Sequence, residues 1–221
     1  MRREIIRTGD GSTTIYLPDL EENYHSRHGA IQEARHVFLR HGLDLFPDKS
    51  ELCILEIGFG TGLNALLTAI ENEGTGRIIR YTGVEAYPVE AAEASQMNYP
   101  EAVGHVLAAS IFTDMHKAEW EVEVALTPSF YLTKRQQFFA DIVDEAAFDL
   151  VYFDAFGFRV QPELWNEDIF RRMARALRPG GVLVTYAART VIRRNMEVAG
   201  FSVEKLAGPP GKREMMRARR S

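Results

Sequence analysis

The stretch Leu52-Cys53-Ile54-Leu55-Glu56-Ile57-Gly58-Phe59-Gly60-Thr61-Gly62-Leu63-Asn64 leaves the chain little conformational freedom. Its mostly apolar first half reads as a buried strand, the closely spaced glycines as a tight turn, and Leu63, Leu66, Leu67 and Ile70 as one face of a helix. Glycine allows positive φ and a close approach of backbone to ligand, and a helix start presents free N–H groups. Such an opening suits a nucleotide. A dinucleotide turn requires Gly-x-Gly-x-x-Gly, and Leu63 stands where its third glycine would be.

The next β-rich run, Ile78 to Val84, ends at Glu85, where a carboxylate can accept hydrogen bonds from both hydroxyls of a ribose. Pro88 is placed to start a helix running to about Met97. Helical stretches over 101–115 precede an alternating strand over 120–126 and a further strand from Phe130 to Phe139. Asp141, just beyond, either receives the exocyclic amine of an adenine or caps a helix before Ile142. The least ambiguous strand, Phe148 to Phe153, delivers Asp154-Ala155-Phe156 to its C-terminal end. Open α/β sheets bind ligands there, so Asp154 is expected to face the same crevice as Gly58, Gly60, Gly62 and Glu85. Pro162-Glu163-Leu164-Trp165 leads into a helix over 167–177. A strand over 182–186, a helix over 189–199 and a closing β pair over 201–206 and 213–218 complete the pattern.

Upstream, residues 4–17 read as a hairpin around Asp10-Gly11, followed by an amphipathic helix over 30–41 that Gly42 ends. Four of the six histidines (His25, His28, His36, His41) fall here, but their spacing fits no known ligand set, and no metal is expected. The succession predicts an α/β fold with a doubly wound, mainly parallel sheet and an antiparallel edge strand. Residues 1–45 are expected to form an N-terminal extension packed on a main domain, 46–221, with a β-rich insertion near 99–132.

Charge is unevenly placed. From Phe158 onward 14 basic and 6 acidic residues give +8, against 12 basic and 25 acidic (−13) in residues 1–157. A basic last third can meet phosphate locally despite a net charge of −5. The single cysteine, Cys53, lies in the first core strand and implies a reduced compartment. No apolar run approaches the roughly 20 residues of a membrane helix, and the N-terminus lacks the apolar region of a signal peptide. The expectation is a cytoplasmic protein without a membrane partner.

The spacing Gly58, Gly60, Gly62 is similar to the turn of class I S-adenosylmethionine-dependent methyltransferases, as is Arg178-Pro179-Gly180-Gly181 before the fifth core strand. From Tyr24 onward the chain resembles the tRNA 5-methylaminomethyl-2-thiouridine methyltransferases: the methyltransferase module of bifunctional MnmC, or its free-standing form. The strings that carry the resemblance are Tyr24-His25-Ser26 with Gly29 and Glu33, the run Glu56 to Asn64, Phe153-Asp154-Ala155-Phe156, and Gln161-Pro162-Glu163-Leu164-Trp165. Arg193-Arg194, Ala199-Gly200-Phe201 and Gly211-Lys212-Arg213-Glu214-Met215 extend it to the C-terminal region.

The resemblance implies a Rossmann-like fold with S-adenosylmethionine held by Tyr24, Glu33, Gly58, Phe59, Gly60, Thr61, Gly62, Asn64, Glu85, Asp141 and Asp154. The acceptor it implies is the primary amine of 5-aminomethyl-(2-thio)uridine at the tRNA wobble position, with Asp154 as the catalytic candidate that orients the amine or serves as its base. Phe156, Arg159, Trp165, Arg193, Arg194, Lys212 and Arg213 are its implied RNA contacts, with core packing the competing role for Trp165. One stretch departs from the family: Gly157-Phe158-Arg159-Val160 lacks the usual proline and lysine, and Arg159 is expected to supply the charge. No flavin-binding domain follows Ser221, so methylation without oxidation is expected. A class I methyltransferase acting on a small-molecule amine is the alternative.

Overall fold

The β-branched runs flanking Asp10-Gly11 pair as expected. In the computed structural model, which describes residues 2–221, β1 (Glu4–Arg7) and β2 (Thr13–Leu17) run antiparallel. A short β3 (Glu22–Asn23) completes a three-stranded sheet, and Ile15 and Leu17 carry it into the core. Helix α1 (Ala30–Ala34) widens into a π-helical segment, Arg35–Arg40, so the single helix expected over 30–41 changes pitch midway. Gly42 follows it without a positive φ (−120°). Close approach is what requires glycine here: a Cβ would collide with the Phe38 carbonyl oxygen and lie 3.1 Å from Val184 and 3.2 Å from Tyr152.

The main sheet then assembles from β4 (Glu51–Ile57), α2 (Leu63–Glu71), β5 (Ile78–Val84), α3 (Ala91–Ala94), α4 (Tyr99–Val103) and α5 (Ala108–Lys117). It continues with β6 (Glu123–Thr127), β7 (Phe130–Arg135), β8 (Phe148–Phe153), α6 (Glu167–Ala176), β9 (Leu177–Thr185), α7 (Thr190–Val198), β10 (Phe201–Ala207) and β11 (Glu214–Arg220). Strand order is β10-β11-β9-β8-β4-β5-β7-β6. The five strands β7, β5, β4, β8 and β9 are parallel, whereas β6 pairs antiparallel with β7, and β11 with both β9 and β10. The doubly wound fold is as expected, with antiparallel pairing on both flanks instead of one edge.

Alternation along β4 explains the two layers of helices. Leu52 and Ile54 join a core that includes Leu66, Leu67 and Met115 from α2 and α5, while Leu55 and Ile57 join one that includes Phe170, Met173 and Ile192 from α6 and α7. Both faces of the central strand are therefore apolar, as a sheet covered on both sides demands.

Four boundaries differ from the sequence reading. Helix α3 starts at Ala91, because Glu90 and Glu93 form a capping box downstream of Pro88. Strand β6 starts at Glu123, Trp120 making only an isolated bridge to Lys134. Strand β7 stops at Arg135, and Phe139–Asp141 forms a 3-10 turn. The residues Arg178 to Gly181 bulge within β9, where the register with β8 jumps from Phe148↔Leu177 to Leu150↔Val182. Among the described residues no helix is long and apolar enough to cross a membrane.

Replacing Gly42 by alanine should overpack this junction and cost about 1–3 kcal/mol. The check is urea unfolding, which should show a lower midpoint at unchanged m-value.

Candidate active site

Three glycines shape the turn between β4 and α2, with φ of +88° at Gly58, +50° at Gly60 and +76° at Gly62. A Cβ on Gly58 would lie 2.6 Å from the Asp154 carbonyl oxygen, and one on Gly60 would lie 3.2 Å from the Tyr24 ring. The turn is thus wedged between the end of β8 and the N-terminal segment. Asp154 N–H donates to the Ile57 carbonyl at 2.9 Å, tying the two strand ends together. Glu85 Oε2 accepts from Gly60 N–H at 3.1 Å and Oε1 from Tyr87 N–H at 3.0 Å, which fixes the carboxylate beside the turn.

A cavity of about 1190 Å³ opens where these strand ends meet. It brings together Tyr24, Gly58, Phe59, Gly60, Asn64, Glu85, Asp154 and Phe156 of the expected site. The Tyr24 and Phe156 rings meet edge to face at 5.0 Å, and burial pushes the Tyr24 hydroxyl up to about 12.

Asn64, on the first turn of α2, bridges two carboxyl groups: its Nδ2 donates to Asp154 Oδ2 at 2.9 Å and to Glu56 Oε1 at 2.8 Å. Withdrawal from water raises Asp154 to about 7, the negative charge of Glu33 adding to this while Asn64 and Lys212 oppose it. Burial also lifts Glu56 well above the usual carboxylate range. Glu56 Oε2 and Asn64 Oδ1 are each buried without a hydrogen-bond partner, and both residues line the cavity. The Tyr81 hydroxyl is the group of the chain that faces Glu56, and it too is buried without a hydrogen-bond partner. A carboxyl poised near neutrality, as Asp154 is, can exchange a proton at ordinary pH.

Sequence reasoning treated Glu56 only as part of a motif. Its signal was an ionisable residue between Leu55 and Ile57 in an otherwise apolar strand. Tyr186, at the end of β9, was also missed; its hydroxyl donates to the Ala155 carbonyl at 2.7 Å and its ring lines the cavity.

Several expected site residues lie elsewhere. Lys212 turns inward, 4.0 Å over the Tyr186 ring and ion-paired with buried Glu33, instead of facing outward to phosphate. Glu33 also accepts from Ser26 N–H, and the pair stands behind the cavity wall. Thr61 is spent on the Tyr99 hydroxyl at 3.0 Å, and Gly62 packs against Met115 and Phe59, so neither lines the cavity. Asp141 is exposed on its 3-10 turn, outside a wall formed by Phe138, Phe139 and Ala140, because β7 ends early at Arg135.

Trp165 is fully buried, donates Nε1–H to the Phe156 carbonyl at 2.8 Å and packs 5.0 Å from the Phe153 ring, so it supports the Phe156 loop from within the core. Arg159 donates to the Leu20 and Glu21 carbonyls at 3.1 and 3.0 Å, which pins the Gly157–Val160 loop to the N-terminal sheet and keeps its charge out of the cavity. Arg193, paired with Glu197 at 2.8 Å, and Arg194 and Arg213 are exposed outside it. His25 lines the cavity as a neutral imidazole, lowered to about 4 by burial. Among the described residues no three His, Cys, Asp or Glu side chains converge to hold a metal.

With this geometry in hand, comparison with known proteins is informative. Residues 110–221 match a family described as S-adenosyl-L-methionine-dependent methyltransferase. The chain is 31% identical over 230 residues to the tRNA 5-methylaminomethyl-2-thiouridine biosynthesis bifunctional protein MnmC of Cupriavidus metallidurans, covering 98% of this chain and 34% of that protein. It is 32% identical over 225 residues to the MnmC of Delftia acidovorans, covering 93% and 33%. The chain therefore spans about a third of the length of these relatives. Among solved structures, that of MnmC2 from Aquifex aeolicus superposes with a TM-score of 0.80 at 23% identity, over 98% of this chain and 69% of that one.

The raised Asp154 value has a consequence for stability. Because its folded-state pKa lies above the ordinary value, the carboxyl destabilises the fold only where it must ionise: not in acid, increasingly as pH climbs toward about 7, and fully above it. Asp154→Asn should therefore unfold at a higher urea concentration than wild type at pH 8, with the two midpoints converging at pH 4.

Proposed function

The chain belongs to the S-adenosyl-L-methionine-dependent methyltransferase family, and on that premise we propose that it N-methylates the 5-aminomethyl group of (2-thio)uridine at the tRNA wobble position, giving 5-methylaminomethyl-(2-thio)uridine. The observation that carries the reading is a carboxyl poised near neutrality, Asp154, in the cavity wall beside the glycine turn. The substrate class is taken from the tRNA-modifying relatives. Tyr24, Gly58, Phe59, Gly60, Asn64 and Glu85 are assigned to the cofactor, with the 1–45 extension closing over a 46–221 methyltransferase domain. The reading implies a cytoplasmic enzyme, in keeping with the lone unpaired Cys53.

The residues fit S-adenosylmethionine. Gly58 and Gly60 line the cavity at the turn, Glu85 beside them suits ribose hydroxyls, and the Glu56 and Asn64 oxygens suit an α-ammonium group. A cation beside them would also draw Glu56 back toward its charged form. When bound, the cofactor supplies an electrophilic methyl group on a sulfonium.

The rest falls to the chain. An alkylammonium must lose a proton to expose its lone pair, and the Asp154 carboxylate accepts it at Oδ. Asn64, bonded to Asp154 Oδ2, fixes the direction in which that carboxylate faces. The Tyr24–Phe156 pair walls the acceptor base, and the Glu33–Lys212 pair keeps a second carboxylate near Asp154 from standing uncompensated. Holding acceptor and donor in line can contribute roughly 7–11 kcal/mol in favourable cases. Arg193, Arg194 and Arg213, on the basic last third, are assigned to tRNA phosphates.

A second reading, methylation of a small-molecule amine, is favoured by one observation: Lys212 and Arg159, both expected at RNA, are engaged by groups of the protein itself, Lys212 by buried Glu33 and the exposed Arg159 by the Leu20 carbonyl. Salt-dependent tRNA binding separates the two. On the tRNA reading, affinity falls steeply with salt, and replacing Arg193 and Arg194 together by alanine flattens the log–log slope by about 1–2. Absence of measurable tRNA binding favours the small amine.

The decisive experiment is mass analysis of wobble-uridine nucleosides after incubating protein and cofactor with undermodified tRNA. Wild type should add one methyl group, with a rate that rises with pH through about 7 as Asp154 ionises and then levels. Asp154→Ala should be slower by about 100-fold or more; equal rates would remove Asp154 from the mechanism.

A further inference from the structure

Along β7 the inward positions are Phe130, Leu132 and Lys134, so a lysine occupies a place where the alternation calls for an apolar side chain. Lys134 is only 2% exposed. Its ammonium donates to the His116 carbonyl in the last turn of α5 at a long 3.4 Å and sits 4.9 Å from the centre of the Trp120 ring. Among the described residues no carboxylate lies within ion-pairing distance of it. Two of its three N–H donors are thus unspent, an expensive state for a buried cation.

What it does face is a second cavity, of about 350 Å³, which adjoins the main one through Phe59, Gly60, Pro88, Glu90 and Gln136 and is walled on its far side by His116, Trp120 and Lys134. His116 adds no charge: burial lowers it to about 4, and its Nε2 is bonded to the Thr61 carbonyl at 3.2 Å. The one carboxylate in the wall, Glu90, is occupied by the Glu93 backbone N–H in its capping box.

We propose that this second cavity is a binding site for a small oxyanion, phosphate or carboxylate, held by the Lys134 ammonium over Trp120. The site is separate from the assignment of the methyl acceptor. The oxyanion is either free in solution or carried by a nucleic acid.

Trp120 is a built-in reporter, since it lines this cavity whereas the other tryptophan, Trp165, does not and adds only a constant background to the emission. The test titrates the full chain with inorganic phosphate and, separately, acetate at constant ionic strength while Trp120 emission is followed. A saturable change in wild type, kept by Lys134→Arg and weakened at least 10-fold in Lys134→Met, supports the site, provided Lys134→Met still binds S-adenosylmethionine. A linear response in wild type, or an unchanged one in Lys134→Met, overturns it. If Lys134→Met does not fold, the ¹⁵N resonance of the Lys134 ammonium decides: a shift on phosphate addition supports the site and a fixed resonance overturns it. Displacement of phosphate by tRNA supports the site with a nucleic-acid phosphate as its occupant; persistence beside tRNA supports it with a free anion.

Discussion

The architecture turns on one close approach, that of Gly58 to the backbone of Asp154. The Asp154 N–H is bonded to Ile57, and a side chain at Gly58 would lie 2.6 Å from the Asp154 carbonyl oxygen. Only glycine at positive φ permits the end of β4 to turn away while β8 continues alongside it. The glycine turn and the Asp154 carboxyl are therefore neighbours by construction. Everything added by the flanking segments, the Tyr24 ring over Gly60 and the Glu85 carboxylate beneath it, is referred to that junction.

Around it the protein concentrates negative charge. Glu56, Asp154 and Glu33 stand close enough to perturb one another or their neighbours, and the fold manages this unevenly. Glu33 has Lys212; Glu56 and Asp154 share the amide of Asn64, and Glu56 also faces the Tyr81 hydroxyl. The result is one carboxyl pushed well above the ordinary carboxylate range and another raised to about 7. That division suits the cationic cofactor and the ammonium acceptor of the proposed reaction. It also explains why Lys212 is withdrawn from the surface: the turn between β10 and β11 inserts its cation where a compensating charge is needed, over the Tyr186 ring.

Much of this was legible along the chain. The strand–turn–helix at Leu52 to Asn64, the acid at Glu85 and the strand that ends at Asp154 follow from local periodicity and from the steric freedom of glycine, which depend on few neighbours. The errors arose where position in space, not residue type, sets the role. Arg159 and Lys212 carry chemistry suited to RNA, yet each is engaged by the protein's own carbonyls or carboxylate, whereas Trp165 takes the competing core-packing role. Asp141 misses the crevice because β7 ends at Arg135, a boundary that the apolar Phe138-Phe139 obscured.

By itself the sequence determined the order of strands and helices, the two-sided burial of the central strand and the nucleotide character of the opening turn, since these rest on alternation and backbone sterics. Only the tertiary structure decided which ionisable groups share an environment. Glu56 and Asp154 are far apart in the chain, and it is the parallel pairing of β4 with β8, bridged by Asn64, that sets their titration; Lys134 likewise acquires its unusual burial from the packing of α5 and Trp120 above β7. Desolvation and Coulomb interaction act through space over a few ångströms, and no local pattern of residues encodes them.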